Sequence, residues 1–182
     1  MAWRFLLARP LLAPLLLLAV PAAAASIAPL EQSVKAAFLP KFARYVEWPT
    51  QPGAGAPLTL CIIGRDPFGE VIEQATAGQR IGAHPISLRR LASADGAREQ
   101  CQIAFVGGSA RQGAAAMLDR LAGSPVLTVT DARNGDARGM IHFVVHDGRV
   151  RFRIDEEQAA RHRLGISSRL LTLALSVKQK PR

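Results

Sequence analysis

Leu58-Thr-Leu-Cys-Ile-Ile-Gly-Arg-Asp-Pro-Phe-Gly69 carries the pattern that decides the fold. Leu58 to Ile63 is a short apolar run, rich enough in branched side chains for a buried strand. Gly64-Arg-Asp-Pro67 then turns the chain, with Asp66 placed as N-cap and Pro67 at the first helical position. The helix that follows sets Phe68, Val71, Ile72 and Ala75 on one face and stops near Gly78. The unit then repeats. A turn at Gly82-Ala-His-Pro85 leads into an extended piece over Ile86 to Leu91, and Gln102-Ile-Ala-Phe-Val106 reads as a third strand. Gly107-Gly108 turns the chain, and Ser109-x-x-Gln112 has the form of a capping box. It heads a helix with Ala114, Met117, Leu118 and Leu121 in its stripe and Gly123 at its end. Pro125 to Thr130 is the fourth strand. Alternation of strand and helix from 58 to 130 predicts an α/β fold, a mostly parallel sheet covered by helices.

After residue 138 the pattern changes. Asp147-Gly148 separates two alternating runs, a strong short-range hairpin signal. A two-residue turn fixes the register: His146 opposes Arg149, Val144 opposes Arg151, and His142 opposes Arg153. The other face holds Ile141, Phe143, Val145, Val150, Phe152 and Ile154 and is expected to pack inward. Asp155-Glu-Glu-Gln158 caps a helix that Gly165 stops, and Ser167-Ser168 starts a last helix carrying Leu170, Leu171, Ala174, Leu175 and Val177. Lys178 to Arg182 reads as frayed.

Before the first strand, Ser33 to Pro49 is predicted as an amphipathic helix. Val34, Ala37, Phe38, Phe42, Tyr45 and Trp48 fall on one arc, and Trp48-Pro49 ends it. Further upstream, Arg4 and Arg9 precede an unbroken apolar run from Leu11 to Val20 and the small residues Pro21-Ala-Ala-Ala-Ala25. Residues 1–25 therefore read as a secretory signal peptide and 26–182 as one domain; a retained anchor is the alternative. The apolar run is short for a bilayer span. Setting aside Arg4 and Arg9 leaves 21 basic and 14 acidic residues of the chain's 23 and 14, a net charge of +7. In an exported domain that charge points to an acidic protein surface or anionic headgroups rather than nucleic acid. An even cysteine count, Cys61 and Cys101, suggests one disulfide in an oxidising compartment, two buried free thiols being the alternative.

Catalytic constellations are not found. The chain has no G-x-S-x-G, H-E-x-x-H, Walker loop or G-x-G-x-x-G, so the expectation is a protein that is not an enzyme and takes no cofactor. The amides of Gly108 and Ser109 are a minor candidate for phosphate. Asp131 after the fourth strand lacks a visible partner and reads as a turn residue. His142 and His146 share the outer hairpin face, but Arg149, Arg151 and Arg153 would repel a metal cation there. That face reads instead as a cationic surface, solvated or docked on an acidic partner, with histidine protonation tuning the docking.

The pieces taken together resemble the YfiR family of periplasmic proteins. The matching stretches are Val34-Lys-Ala-Ala-Phe-Leu39, Phe42-x-Arg-Tyr-Val-Glu-Trp-Pro49, Leu60-Cys-Ile-Ile-Gly-Arg-Asp-Pro-Phe-Gly69, Gly139-Met-Ile-His-Phe143, Arg151-Phe-Arg-Ile154 and Leu164-Gly-Ile-Ser-Ser-Arg-Leu-Leu171. The resemblance implies a three-layer αβα domain, often a homodimer, working without catalysis in the periplasm. It implies binding to the periplasmic sensor region of an inner-membrane diguanylate cyclase, restraint of cyclic di-GMP synthesis, and release by an OmpA-type outer-membrane lipoprotein. Cys61 and Cys101 match the family's positions for a stabilising disulfide. Candidate partner-binding residues are Trp48, His142, His146, Arg149, Arg151 and Arg153, with the exposed side of the first helix. Competing readings are a periplasmic small-ligand-binding protein, a regulator of another membrane sensor such as a histidine kinase, and an enzyme with an unrecognised site. Pro40 departs from the family pattern: an interior proline loses a hydrogen bond and clashes with the carbonyl of Ala36, which predicts a kink or break.

Overall fold

A computed structural model describes residues 27–181; the expected signal peptide lies outside them. Eight strands form one sheet, in the order β10-β8-β7-β6-β5-β2-β4-β3. The central strands are β2 (Leu58–Gly64), β4 (His84–Leu91), β5 (Ile103–Gly108), β6 (Leu127–Asp131) and β7 (Ile141–His146), all paired in parallel. β8 (Arg149–Asp155) returns antiparallel to β7, and β3 (Arg80–Ile81) is antiparallel to β4. A two-residue β1 (Val46–Glu47) pairs apart from this sheet with β9 (Gly165–Ile166).

Period-two alternation divides the buried side chains of the sheet between two faces. Leu60 and Ile62 face α1 (Ile27–Phe42), α2 (Glu70–Thr76), α5 (Glu156–Arg161) and α6 (Ser168–Leu171). Cys61 and Ile63 face α3 (Ala97–Gln100) and α4 (Ala114–Leu121). The result is the expected three-layer α/β sandwich. Cys61 and Cys101 form a disulfide, Cα to Cα 5.8 Å, that staples the end of α3 to β2.

The first helix departs from its expected form. It runs through Pro40 to Phe42 without breaking, then tightens into a 3-10 turn over Ala43–Tyr45 and becomes β1. Pro40 sits in the last turn, so little of the helix remains for the missing hydrogen bond to disrupt. The buried positions are Gln32, Lys35, Ala36, Leu39, Pro40, Phe42 and Ala43, whereas Val34, Ala37 and Phe38 are half-buried. The buried face is thus rotated from the predicted arc, and it carries a lysine. Phe38 and Phe42 still pack on Phe143 and Phe152 with ring centroids 5.3–6.3 Å apart. Such pairs add about 0.5–1.5 kcal/mol each beyond their buried area.

Two other expectations change. Asp66 and Ser109 cap turns rather than helix starts. Asp66 accepts from the amide of Phe68, and Ser109 Oγ from that of Gln112, while the helices begin only at Glu70 and Ala114. The last helix ends at Leu171 instead of running on to Val177, and Ser176–Lys178 forms β10, so Lys178, expected in the frayed tail, is paired. That strand pairs in parallel with β8, satisfying its outer edge.

Candidate functional site

The hairpin register is the predicted one: His142 pairs with Arg153, Val144 with Arg151 and His146 with Arg149. Asp147 and Gly148 have φ of 50° and 68°, the left-handed pair that a type I′ turn needs. Arg149, Arg151, Arg153 and His146 are exposed on one face. Among the described residues the three guanidiniums have no carboxylate within ion-pair distance; the pairs nearest them are His146 with Asp147 and Lys178 with Asp155. Three adjacent unpaired cations on a rigid ribbon form a surface suited to an acidic partner.

Two expected members of this surface are corrected. His142 is only 3% exposed and Trp48 only 9%. The connection from β6 to β7 folds back over the sheet, and Gly139 and Met140 donate to Thr130 and Thr128. His142 is buried beside it, its Nδ1 2.9 Å from Thr130 Oγ1. Pairing of β1 with β9, reinforced by Ser167 N donating to Tyr45 O, turns Trp48 into the core. Neither residue is presented for docking.

Burial pushes His142 down to about pKa 4, helped by the charges of Arg138, Arg153 and Lys35 and opposed by Asp131. His142 is therefore neutral between pH 5.5 and 7.5 and does not tune docking there. The unfolded chain binds a proton near 6.5 that the folded one refuses until about 4, so stability is full above pH 6.5 and falls towards pH 4. His142 contributes a loss on the order of 3 kcal/mol over that window, and buried His162 shifts in the same direction. Urea unfolding of wild type and His142→Gln at several pH values checks this: the variant should show a shallower fall below pH 6.5.

The hairpin's apolar face is buried only at its base. Ile141, Phe143, Phe152 and Ile154 are in the core, but Val145 at the tip is 53% exposed. Val145 and Val150 join Leu30 and Val34 in a groove of about 280 Å³. Farther along α1, Phe38, Tyr45, Leu170 and Leu173 line a second groove of about 240 Å³. The exposed side of α1 is therefore flanked by apolar surface at both ends, and Arg149 at the hairpin tip lines the first groove.

Missed from sequence was a buried ionic cluster. Lys35 Nζ lies 2.9 Å from Asp131 Oδ2 and 2.5 Å from Glu31 Oε1, with Lys35 and Asp131 side chains each 2% exposed. Asp131 is not a simple turn residue, then, although its Oδ1 does accept from Arg133 N. Glu31 and Lys35 four apart on one helix were the only available signal.

Doubly wound sheets bind ligands beyond their strand ends, where the strand order reverses. Here that point lies between β2 and β5, and backbone fills it. Arg65 N donates to Gly108 O at 2.7 Å, and a Cβ on Gly107 would stand 2.0 Å from Arg65 O. The Ser109 amide, proposed for phosphate, already donates to Gln112 O. Among the described residues no three His, Cys, Asp or Glu side chains are grouped to hold a metal ion, and no helix is long and apolar enough to cross a membrane.

The fold defines a three-layer α/β domain with an exposed row of arginines on its hairpin and two apolar grooves beside α1. The chain belongs to the YfiR/HmsC-like family, whose pattern it matches over residues 32–175. A comparison with curated proteins gives no match.

Proposed function

We propose that this chain is a periplasmic, non-enzymatic regulator. It binds the periplasmic sensor region of an inner-membrane diguanylate cyclase and represses cyclic di-GMP synthesis. The observation that carries the reading is membership of the YfiR/HmsC-like family across nearly the whole described chain. Two exposed features support it as candidate docking surfaces, the unpaired arginine row on one face of the hairpin and the apolar grooves beside α1 on the other. Restraint follows if the domain binds the inactive state of the cyclase more tightly than the active one. Relief by an OmpA-type outer-membrane lipoprotein is then competition for the free regulator. The closed crevice between β2 and β5 favours this reading over a small-ligand carrier.

Changing Arg149, Arg151 and Arg153 together to glutamate should weaken capture of the cyclase's periplasmic region at least tenfold, with the thermal melt unchanged, because all three side chains are exposed. Equal capture by wild type and the triple variant would remove the hairpin from the interface.

A further inference from the structure

Among the described residues, no helix covers the second face of one half of the sheet. α3 and α4 cover β2 and β5, but beyond them Thr130, His142, Arg153 and Ser176 form a single row across β6, β7, β8 and β10. Adjacent members of such a row are about 5 Å apart. His142, Arg153 and Ser176 of this row floor a cleft of about 230 Å³, flanked at one side by Arg138 and Gly139 from the β6–β7 connection and at the other by Asp155 and Lys178, with Thr130 buried beneath.

The charges in this cleft are unbalanced. The Asp155 carboxylate is already engaged: Oδ1 accepts from Gln158 N, and Oδ2 lies 3.5 Å from Lys178 Nζ. Lys178 also pairs with Glu157 at 2.8 Å. Arg153 has no acidic partner among the described residues, and Arg138 donates only to the carbonyls of Gly135 and Ala137. Two guanidiniums without counter-ions thus converge on a buried imidazole whose Nδ1 is held by Thr130. That crowding costs electrostatic energy in the empty cleft and is relieved by an anion. Guanidinium forks, a ring nitrogen and the Ser176 hydroxyl are the donors that tetrahedral oxyanions take.

We infer that the cleft between Arg138, His142, Arg153 and Ser176 is a binding site for a phosphate-class oxyanion, either free or as the head of a small phosphomonoester. It lies on the sheet face away from α1 and does not rest on the cyclase reading, although Arg153 belongs to both surfaces. Asp131, Lys35, Arg138 and Arg153 are the charged groups acting on His142. A bound dianion adds to Asp131 and makes the imidazole easier to protonate.

The test is titration of the isolated exported domain with inorganic phosphate, followed through the His142 ring resonances, with chloride at equal ionic strength as the control. A saturable shift of those resonances is expected, with affinity at least tenfold weaker in Arg138→Ala and in Arg153→Ala, the loss of a charge-assisted hydrogen bond. Both side chains are exposed, so the variants should melt with wild type. The titration pKa of His142 should rise by a measurable fraction of a unit in saturating phosphate. A second arm replaces phosphate with vesicles carrying phosphatidic acid, whose headgroup is a phosphomonoester. Binding of free phosphate alone assigns a soluble ligand, and binding of vesicles by wild type but not the variants assigns a lipid headgroup. A non-saturating response, or equal affinity in wild type and both variants, overturns the site.

Discussion

Lys35→Met is expected to destabilise the domain by about 3–5 kcal/mol, the usual cost of removing one partner of a buried ion pair. Lys35 and Asp131 are each 2% exposed, so the deletion leaves a carboxylate in the core facing apolar neighbours. Glu31 is less affected, because Arg133 stands 3.8 Å away and its own side chain is 18% exposed. The double variant Lys35→Met with Asp131→Asn should recover much of the loss, since a neutral amide keeps the cap to Arg133 N and no longer carries a charge. Denaturant unfolding of the two singles and the double forms the cycle that checks it. Additive losses would contradict direct pairing. A buried ion pair adds little net stability compared with an apolar pair, so its value here is positional. It fixes α1 against the end of β6, and with it the exposed side of α1 that the docking proposal uses.

The second large effect is expected from the disulfide. Replacing Cys61 and Cys101 together by alanine should cost about 4 kcal/mol, the chain-entropy value for a closed loop of this length. The separation of 40 residues spans α2, β3, β4 and α3, and the bond ties α3, a helix of four residues, to β2. Both sulfurs lie in the core between the sheet and α4, so small cavities add to the loss. Thermal unfolding of wild type with and without reductant, beside the double alanine variant, separates the two contributions: cross-link loss appears in both, cavity loss only in the variant. Wild type that melts at the same temperature with and without reductant would contradict the entropic part.

Local signals made most of this fold legible. The apolar runs of β2, β5 and β6 and the stripe of α4 declared themselves by period, and Asp147-Gly148 set the hairpin register residue by residue. What stayed hidden depended on contacts distant in sequence. Lys35 lies outside the predicted apolar arc; Asp131, 96 residues away, together with Glu31, makes its burial tolerable, and the buried face of α1 is rotated towards it. Trp48 looked like the end of a helix and a surface anchor because nothing nearby announces that β9 will pair with β1. Val177 reads as the end of the last helix and Lys178 as the start of a frayed tail because an edge strand of three residues, Ser176–Lys178, has no period to read. His142 was placed on the correct face and in the correct register, but the crossover backbone that covers it could not be inferred from the hairpin. The exposed placement of the three arginines was legible because charge on the outer face of a ribbon needs no distant partner.

The measurement that bears most directly on the proposed function is intracellular cyclic di-GMP in the native host after deletion of this chain. The expected result is a rise, reversed by the exported wild-type protein and not by the form carrying glutamate at 149, 151 and 153. Unchanged cyclic di-GMP in the deletion strain would contradict the reading of this domain as a restraint on a diguanylate cyclase.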